Sequence, residues 1–304
     1  MTQDRPVFGI LLMLGFCVLA PLGDAMAKLL GETLPLGVLV FVRFAVQAAI
    51  LIPLIAATGR VWKMRGRVLR LTAIRTALHI IGIAAMFSAL QYLPLADAVA
   101  IAFVMPFIML LLGKYVLGEQ VGPRRVAACV VGFVGTLLVI KPSFAEVGLP
   151  ALLPLIVAVV FSLFMLVTRQ IAKEIDPVGL QAVSGVMATV ALLPILLLGT
   201  QAEVAALTLV LPTGDTLWLL LGIGVLGTCA HLLMTWSLRY APSATLAPMQ
   251  YLEIPVATLI GWLIFHDLPD GIAALGIVIT ICAGLYVILH ERASARSGPT
   301  ETPA

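Results

Sequence analysis

Apolar and polar positions divide the chain into ten long apolar runs separated by charged residues, Pro or Gly, at about 7–30, 36–57, 72–92, 95–116, 124–141, 150–169, 178–198, 216–239, 244–265 and 271–290. Roughly 20 apolar residues make a helix that crosses the hydrocarbon core of a bilayer, so each run predicts one membrane-spanning α-helix. The first run differs from a secretory leader in its length, in the single basic residue Arg5 before it, and in Asp24 and Lys28 within it. It is expected to be retained as the first helix. Residues 200–215 read as the longest loop, and residues 291–304 as a short polar tail expected to be disordered.

Composition turns that pattern into a requirement. Of 304 residues 62% are hydrophobic and 11% charged, with a mean hydropathy of +1.14. A soluble domain is about half apolar and about a quarter charged, so this chain has too little polar surface to face water and the lipid bilayer is its expected partner. The net charge of +3 is too small to imply a nucleic acid. Cys17, Cys129, Cys229 and Cys282 stand singly within apolar runs, which suggests neither a disulfide framework nor a zinc site, and no cofactor is indicated. The chain contains no HExxH, GxSxG, Asp-rich diphosphate, CxxC or Walker pattern, leaving an integral-membrane enzyme as a distant alternative.

Basic residues set the expected direction. Arg60, Lys63, Arg65, Arg67 and Arg70 follow the second run, Arg124 and Arg125 the fourth, Arg169 and Lys173 the sixth, and Arg292 and Arg296 the tenth; with Arg5 and Arg239 they all fall on one side. Lys141 is the main basic residue expected in an opposite loop. Because cytoplasmic loops are enriched in Lys and Arg, both termini are expected to be cytoplasmic.

The two halves also match one another at an offset of 148 residues: Tyr92 with Tyr240, Pro94 with Pro242, Ala96 with Ala244, Gly113 with Gly261, Glu119 with Asp267, and Leu137, Val139 and Ile140 with Leu285, Val287 and Ile288. Small residues four apart recur in both, at Ala128, Gly132 and Thr136 and at Gly276, Thr280 and Gly284. Such a stripe lets two helix backbones approach closely, within or between subunits, and the oligomeric state stays open. Five spans per half is an odd number, so the halves enter the membrane in opposite senses. The expected fold is an all-α integral membrane protein of ten transmembrane helices in two inverted five-helix repeats, 7–141 and 150–290. That architecture recurs in secondary transporters, with a shared site near the midplane.

These residues carry a resemblance. The stretch from Pro106 to Glu119, followed by Gly132, Gly135 and the run ending at Ile140, resembles the EamA domain of the drug/metabolite transporter superfamily, and Arg43 fits the same pattern. The second half repeats it from Glu253 and Pro255 through Gly276 and Gly284, departing from it at His266 and Asp267. The resemblance implies a bacterial inner-membrane secondary transporter of a small-molecule substrate, with no ATP-hydrolysing part. The first helix, from Leu12 to Lys28, is most similar to the branch that includes riboflavin transporters. Uptake of riboflavin or a similar heterocycle is therefore expected, with export of amino acids, metallophores or drugs as the alternative.

Ionisable groups within the hydrocarbon region cost about 2.5 to 3.5 kcal/mol on insertion scales and usually face a cavity or a partner. Asp24 and Lys28, four apart in the favoured order for an ion pair, are expected to pair with each other or to line a cavity. Arg43, with Gln47 one turn later, is available to Asp24, Asp97 or a bound carboxylate. Glu253, after Gln250 and before Pro255, sits near the midplane as a site for a coupling proton or ion, or for a cationic group. His79 and His231 are packing residues or proton relays, and Phe103, Trp236, Tyr251 and Trp262 either stack on a flat ligand or pack. Glu119 and Asp267 read as helix-end or gate residues.

Overall fold

The computed structural model describes residues 5–119 and 122–296. Its helices are α1 (Pro6–Gly31), α2 (Leu36–Thr58), α3 (Gly66–Ala89), α4 (Leu95–Ala102), α5 (Met105–Val116), α6 (Pro123–Val147), α7 (Leu153–Ile171), α8 (Pro177–Gln201), α9 (Asp215–Tyr240), α10 (Ser243–Leu246), α11 (Glu253–Phe265) and α12 (Gly271–Arg296). A 3-10 turn at Leu149–Leu152 leads into α7, and another at Ala247–Leu252 joins α10 to α11. Eight spans are long and apolar enough to cross a membrane, and the shorter apolar helices Met249–Phe265 and Gly271–Tyr286 complete ten among the described residues.

Most boundaries fall where the apolar pattern breaks, and the differences have local causes. The third helix starts at Gly66 rather than 72, because its first turns carry Arg67 and Arg70 out of the apolar core while remaining hydrogen-bonded as helix. The helix α6 continues to Val147, so Lys141 lies in a helix and not in a loop. Likewise α12 continues through residue 296, so the start of the expected disordered tail is helical; residues 297–304 lie outside the described residues.

Packing obeys a two-fold relation between the repeats. The helix α1 runs against α9 as α7 runs against α3, α5 packs on α7 as α11 packs on α1, and the related pairs α2 with α8 and α6 with α12 face each other. At the α6–α12 crossing the small-residue stripes meet within the chain. A Cβ on Gly135 would come 2.6 Å from the Gly276 carbonyl oxygen, so glycine is what permits this approach. The Thr280 hydroxyl donates to the carbonyls of Gly276 and of its own repeat counterpart, Gly132.

The fourth and ninth spans, expected to be continuous, are interrupted. Both begin after a proline held at nearly the same angles, Pro94 and Pro242. The first breaks at Phe103–Val104, ahead of Pro106, and the second passes through 3-10 geometry before Glu253. Proline removes a backbone donor and crowds the preceding turn, so each interruption falls just before it. The repeats also share the turn that closes these spans. Gly118 (φ +66°) and its counterpart His266 (φ +58°) are both left-handed, and the amides of Glu119 and Asp267 donate to the carbonyls of Gly113 and Gly261. The departure at His266 therefore leaves the turn intact, with a non-glycine residue in a conformation that favours glycine.

Candidate functional site

The interrupted spans meet at the centre. Phe103, at the break between α4 and α5, and Tyr251, its counterpart 148 residues on, lie with ring centres 5.5 Å apart. Beside them is a cavity of about 70 Å³ whose wall includes Phe16, Asp24, Phe103, Phe161, His231 and Glu253. It touches α1 from Phe16 to Asp24 and α3 from Gly82 to Met86. It therefore occupies the middle and the half of the span farther from the face that bears both described ends of the chain.

Four of the candidate residues line this cavity: Asp24, Phe103, His231 and Glu253. Among the described residues neither Asp24 nor the buried Glu253 has a hydrogen-bond or ion-pair partner, although each lies in the other's electrostatic reach and Asp24 in that of Arg43. The expected pair of Asp24 with Lys28 is not formed. The Lys28 ammonium donates to the Leu93 carbonyl (2.8 Å), lies 3.6 Å from Asp267 and sits over the Phe265 ring. One turn nearer the membrane edge than Asp24, its long stem reaches the polar groups at the mouth.

A buried polar network lies against the cavity. Arg43 pairs with neither Asp24 nor Asp97: it donates to Gln47 Oε1 and the Gly227 carbonyl, both at 3.0 Å, and lies 2.9 Å from His231 Nδ1. Asp97 instead accepts from the Ser143 hydroxyl. Gln47 passes the network on to the Gln181 carbonyl at 2.7 Å. Gly227 is required here, because a Cβ would overlap the Arg43 guanidinium. His79 packs its ring among Phe44, Phe164 and His231.

The other aromatic and amide candidates stand apart. Gln250 is buried against Met165 Sδ, and Tyr251 wedges beside Gly132 and Gly284 between the crossing helices. Trp236 packs near Leu51 and Ile55 in a separate cluster, and Trp262 is largely exposed on the outer surface of the bundle.

Arg75, absent from the sequence-derived candidates, is the largest addition. It is fully buried and donates to Thr168 Oγ1 (2.8 Å), Ser184 Oγ (2.9 Å) and Gln181 Oε1 (3.0 Å), with its guanidinium 4.4 Å from the Phe164 ring centre. The available signal was its position three residues inside the third apolar run, one helical turn before His79.

Two polar clasps close the ends of the bundle at related positions. On the face bearing the termini, Glu119 accepts from the Ser243 amide (3.2 Å) and hydroxyl (2.7 Å) and lies 3.6 Å from Arg169. On the opposite face its counterpart Asp267 meets Lys28. Both acids close the last turn of an interrupted span, at equivalent helix ends.

A central cavity between two inverted five-helix repeats, walled by interrupted helices and clasped at both ends, fits a carrier. The pattern that defines the EamA-like transporter family matches residues 7–141 and 148–289. The chain belongs to the EamA-like transporter family. Among similar proteins, a riboflavin transporter of Rhizobium johnstonii is 31% identical over 71% of this chain and 69% of its own length. An S-adenosylmethionine uptake transporter of Rickettsia prowazekii is 24% identical over 95% of both chains. The pseudopaline exporter CntI of Pseudomonas aeruginosa is 25% identical over 86% of this chain and 88% of its own. A solved crystal structure, 19% identical and covering 95% of this chain and 98% of its own, superposes with a TM-score of 0.66, a likeness of fold. The chain is thus a multi-pass membrane transporter of the drug/metabolite superfamily.

Proposed function

We propose that this transporter takes up riboflavin or a similar heterocyclic vitamin across the bacterial inner membrane by secondary active, alternating access, with both termini cytoplasmic. The observation that carries this reading is the cavity between the interrupted helices, lined by the rings of Phe16, Phe103 and Phe161 together with Asp24 and Glu253, which have no partner among the described residues. Aromatic walls with few polar anchors suit a flat heterocycle. Glu253 is the group assigned to a coupling proton, because a carboxylate in this setting has no fixed cation to hold its charge. At about 70 Å³ the cavity holds only a few waters, whereas ligand pockets are on the order of 300–1,000 Å³. The substrate therefore binds in a state with the spans further apart.

A second reading, uptake of a cationic cofactor such as S-adenosylmethionine, is favoured by the same two carboxylates, which attract a sulfonium or ammonium centre.

The test is flux into proteoliposomes offered riboflavin or S-adenosylmethionine, with and without a pH gradient. Gradient-driven riboflavin uptake is expected, with Glu253→Gln and Arg43→Ala each lowering it at least tenfold at unchanged protein abundance. Wild-type rates in both variants would remove the site assignment, uptake of S-adenosylmethionine alone would select the second reading, and flux only from the cytoplasmic side would make the protein an exporter.

A further inference from the structure

We infer that the buried cluster of Arg43, Arg75, His79 and His231 is the seat of an oxyanion, a carboxylate or phosphate group, carried by the transported molecule. The inference rests on the transporter reading and narrows its cargo to a heterocycle that bears such a group, which riboflavin itself lacks and its 5′-phosphate and S-adenosylmethionine have. Arg43 is 2% exposed and Arg75 fully buried. Among the described residues every acceptor that the two guanidiniums use is neutral: the Gln47 and Gln181 side-chain amides, the Gly227 carbonyl, the hydroxyls of Thr168, Ser184 and Thr235, and the His231 ring. Among the described residues no carboxylate lies within ion-pair distance of either. The charged neighbour acting on Arg75 is Arg43, a like charge, and the acid in electrostatic reach of Arg43 is Asp24, with which it makes no ion pair. A buried cation without an opposite charge is among the costliest arrangements a protein can hold.

Unspent donors point the same way. Both ring nitrogens of His79, Nε2 of His231 and Nε2 of Gln181 are buried without a partner, and an imidazole always carries at least one N–H. Surplus donors and surplus positive charge together form the complement of an oxyanion, which accepts several N–H groups at once. Access exists as well. His231 forms part of the cavity wall, and its ring centre lies 4.3 Å from that of His79, so the cluster begins at the wall and continues one ring behind it. The Asp24 and Glu253 carboxylates that share the cavity lining with His231 repel an anion, which favours a negative group leaving them for the cluster.

The test uses purified full-length protein in lipid nanodiscs and two matched pairs of probes: riboflavin against its 5′-phosphate, and S-adenosylmethionine against its decarboxylated form. The oxyanion-bearing member of at least one pair is expected to bind at least tenfold more tightly, and the pair that shows the advantage tells phosphate from carboxylate. The advantage should fall below twofold in Arg75→Gln and in Arg43→Gln. Because Arg75 ties four helices together, a second measurement uses the wild-type protein alone. Inorganic phosphate or acetate, at constant ionic strength, should raise Tm by several degrees over chloride. Equal binding within both pairs together with no anion-specific rise in Tm would overturn the inference. Riboflavin transport with a flat anion response removes this inference alone, whereas an intact anion response without riboflavin transport removes only the vitamin assignment.

Discussion

The two ends of the molecule are built from the same parts and closed to different degrees. At the face bearing the termini, Glu119 receives the Ser243 amide and hydroxyl together with Arg169, and the side chains of Arg169 and Glu119 are only 13% and 12% exposed. At the opposite face Lys28 and Asp267 are 17% and 39% exposed, and the position corresponding to Ser243 is Leu95, which has no hydroxyl to give. Hydrogen bonds to a charged group contribute about 1.5–3 kcal/mol, whereas exposed ion pairs contribute about 0–1 kcal/mol. A difference of about 1.4 kcal/mol is a tenfold population ratio. The frame is symmetric and its clasps are not, and the cavity lies in the half with the weaker one. In the proposed alternating-access cycle a few hydrogen bonds would set the resting side while the packing of the repeats stays common to both.

The largest expected effect comes from Glu119→Gln, which removes the charge shared by Arg169 and Ser243. Hydrogen exchange over residues 242–252 should accelerate and initial transport rates should fall at least tenfold; exchange at the wild-type rate would break the contrast between the ends. Asp267→Asn should matter less, because Lys28 keeps the Leu93 carbonyl. A change of about threefold or less in flux is expected, and an effect as large as that of Glu119→Gln would make the clasps equivalent. The smallest change sharpens the comparison at the turn leading into the weaker clasp. His266→Gly releases a left-handed residue that costs roughly 1–2 kcal/mol, offset in part by the unfolded-state entropy of glycine. Tm should rise by about 1–2 °C, and no rise would mean that the turn at 266 holds no strain.

The same contrast shows what sequence can convey. The ten spans and the 148-residue repeat were legible because hydropathy and matching residues are local signals, and Glu119 and Asp267 stood out because they recur at equivalent helix ends. Choice of partner was not legible. Lys28 has Asp24 four residues away along its helix, and nothing local says that a longer reach to Asp267 wins. Arg75 was hidden by its company, since a basic residue just after a run of loop arginines looks like one more marker of direction. Only the packing of α3 against α7 and α8 shows that it faces Thr168, Gln181 and Ser184. Trp236 and Trp262 fell within helices as expected, but the face they occupy depends on helix rotation, and that is set by neighbours distant in sequence.

The α6–α12 crossing has a mechanical consequence. At Gly135 and Gly276 the related helices approach backbone to backbone, with the small Thr280 side chain bridging them. The neighbouring contact of Thr280 with its own counterpart Gly132 looks the same from either repeat, so in the proposed alternating-access cycle this crossing can act as a fulcrum, staying put while the clasps at the two ends open in turn.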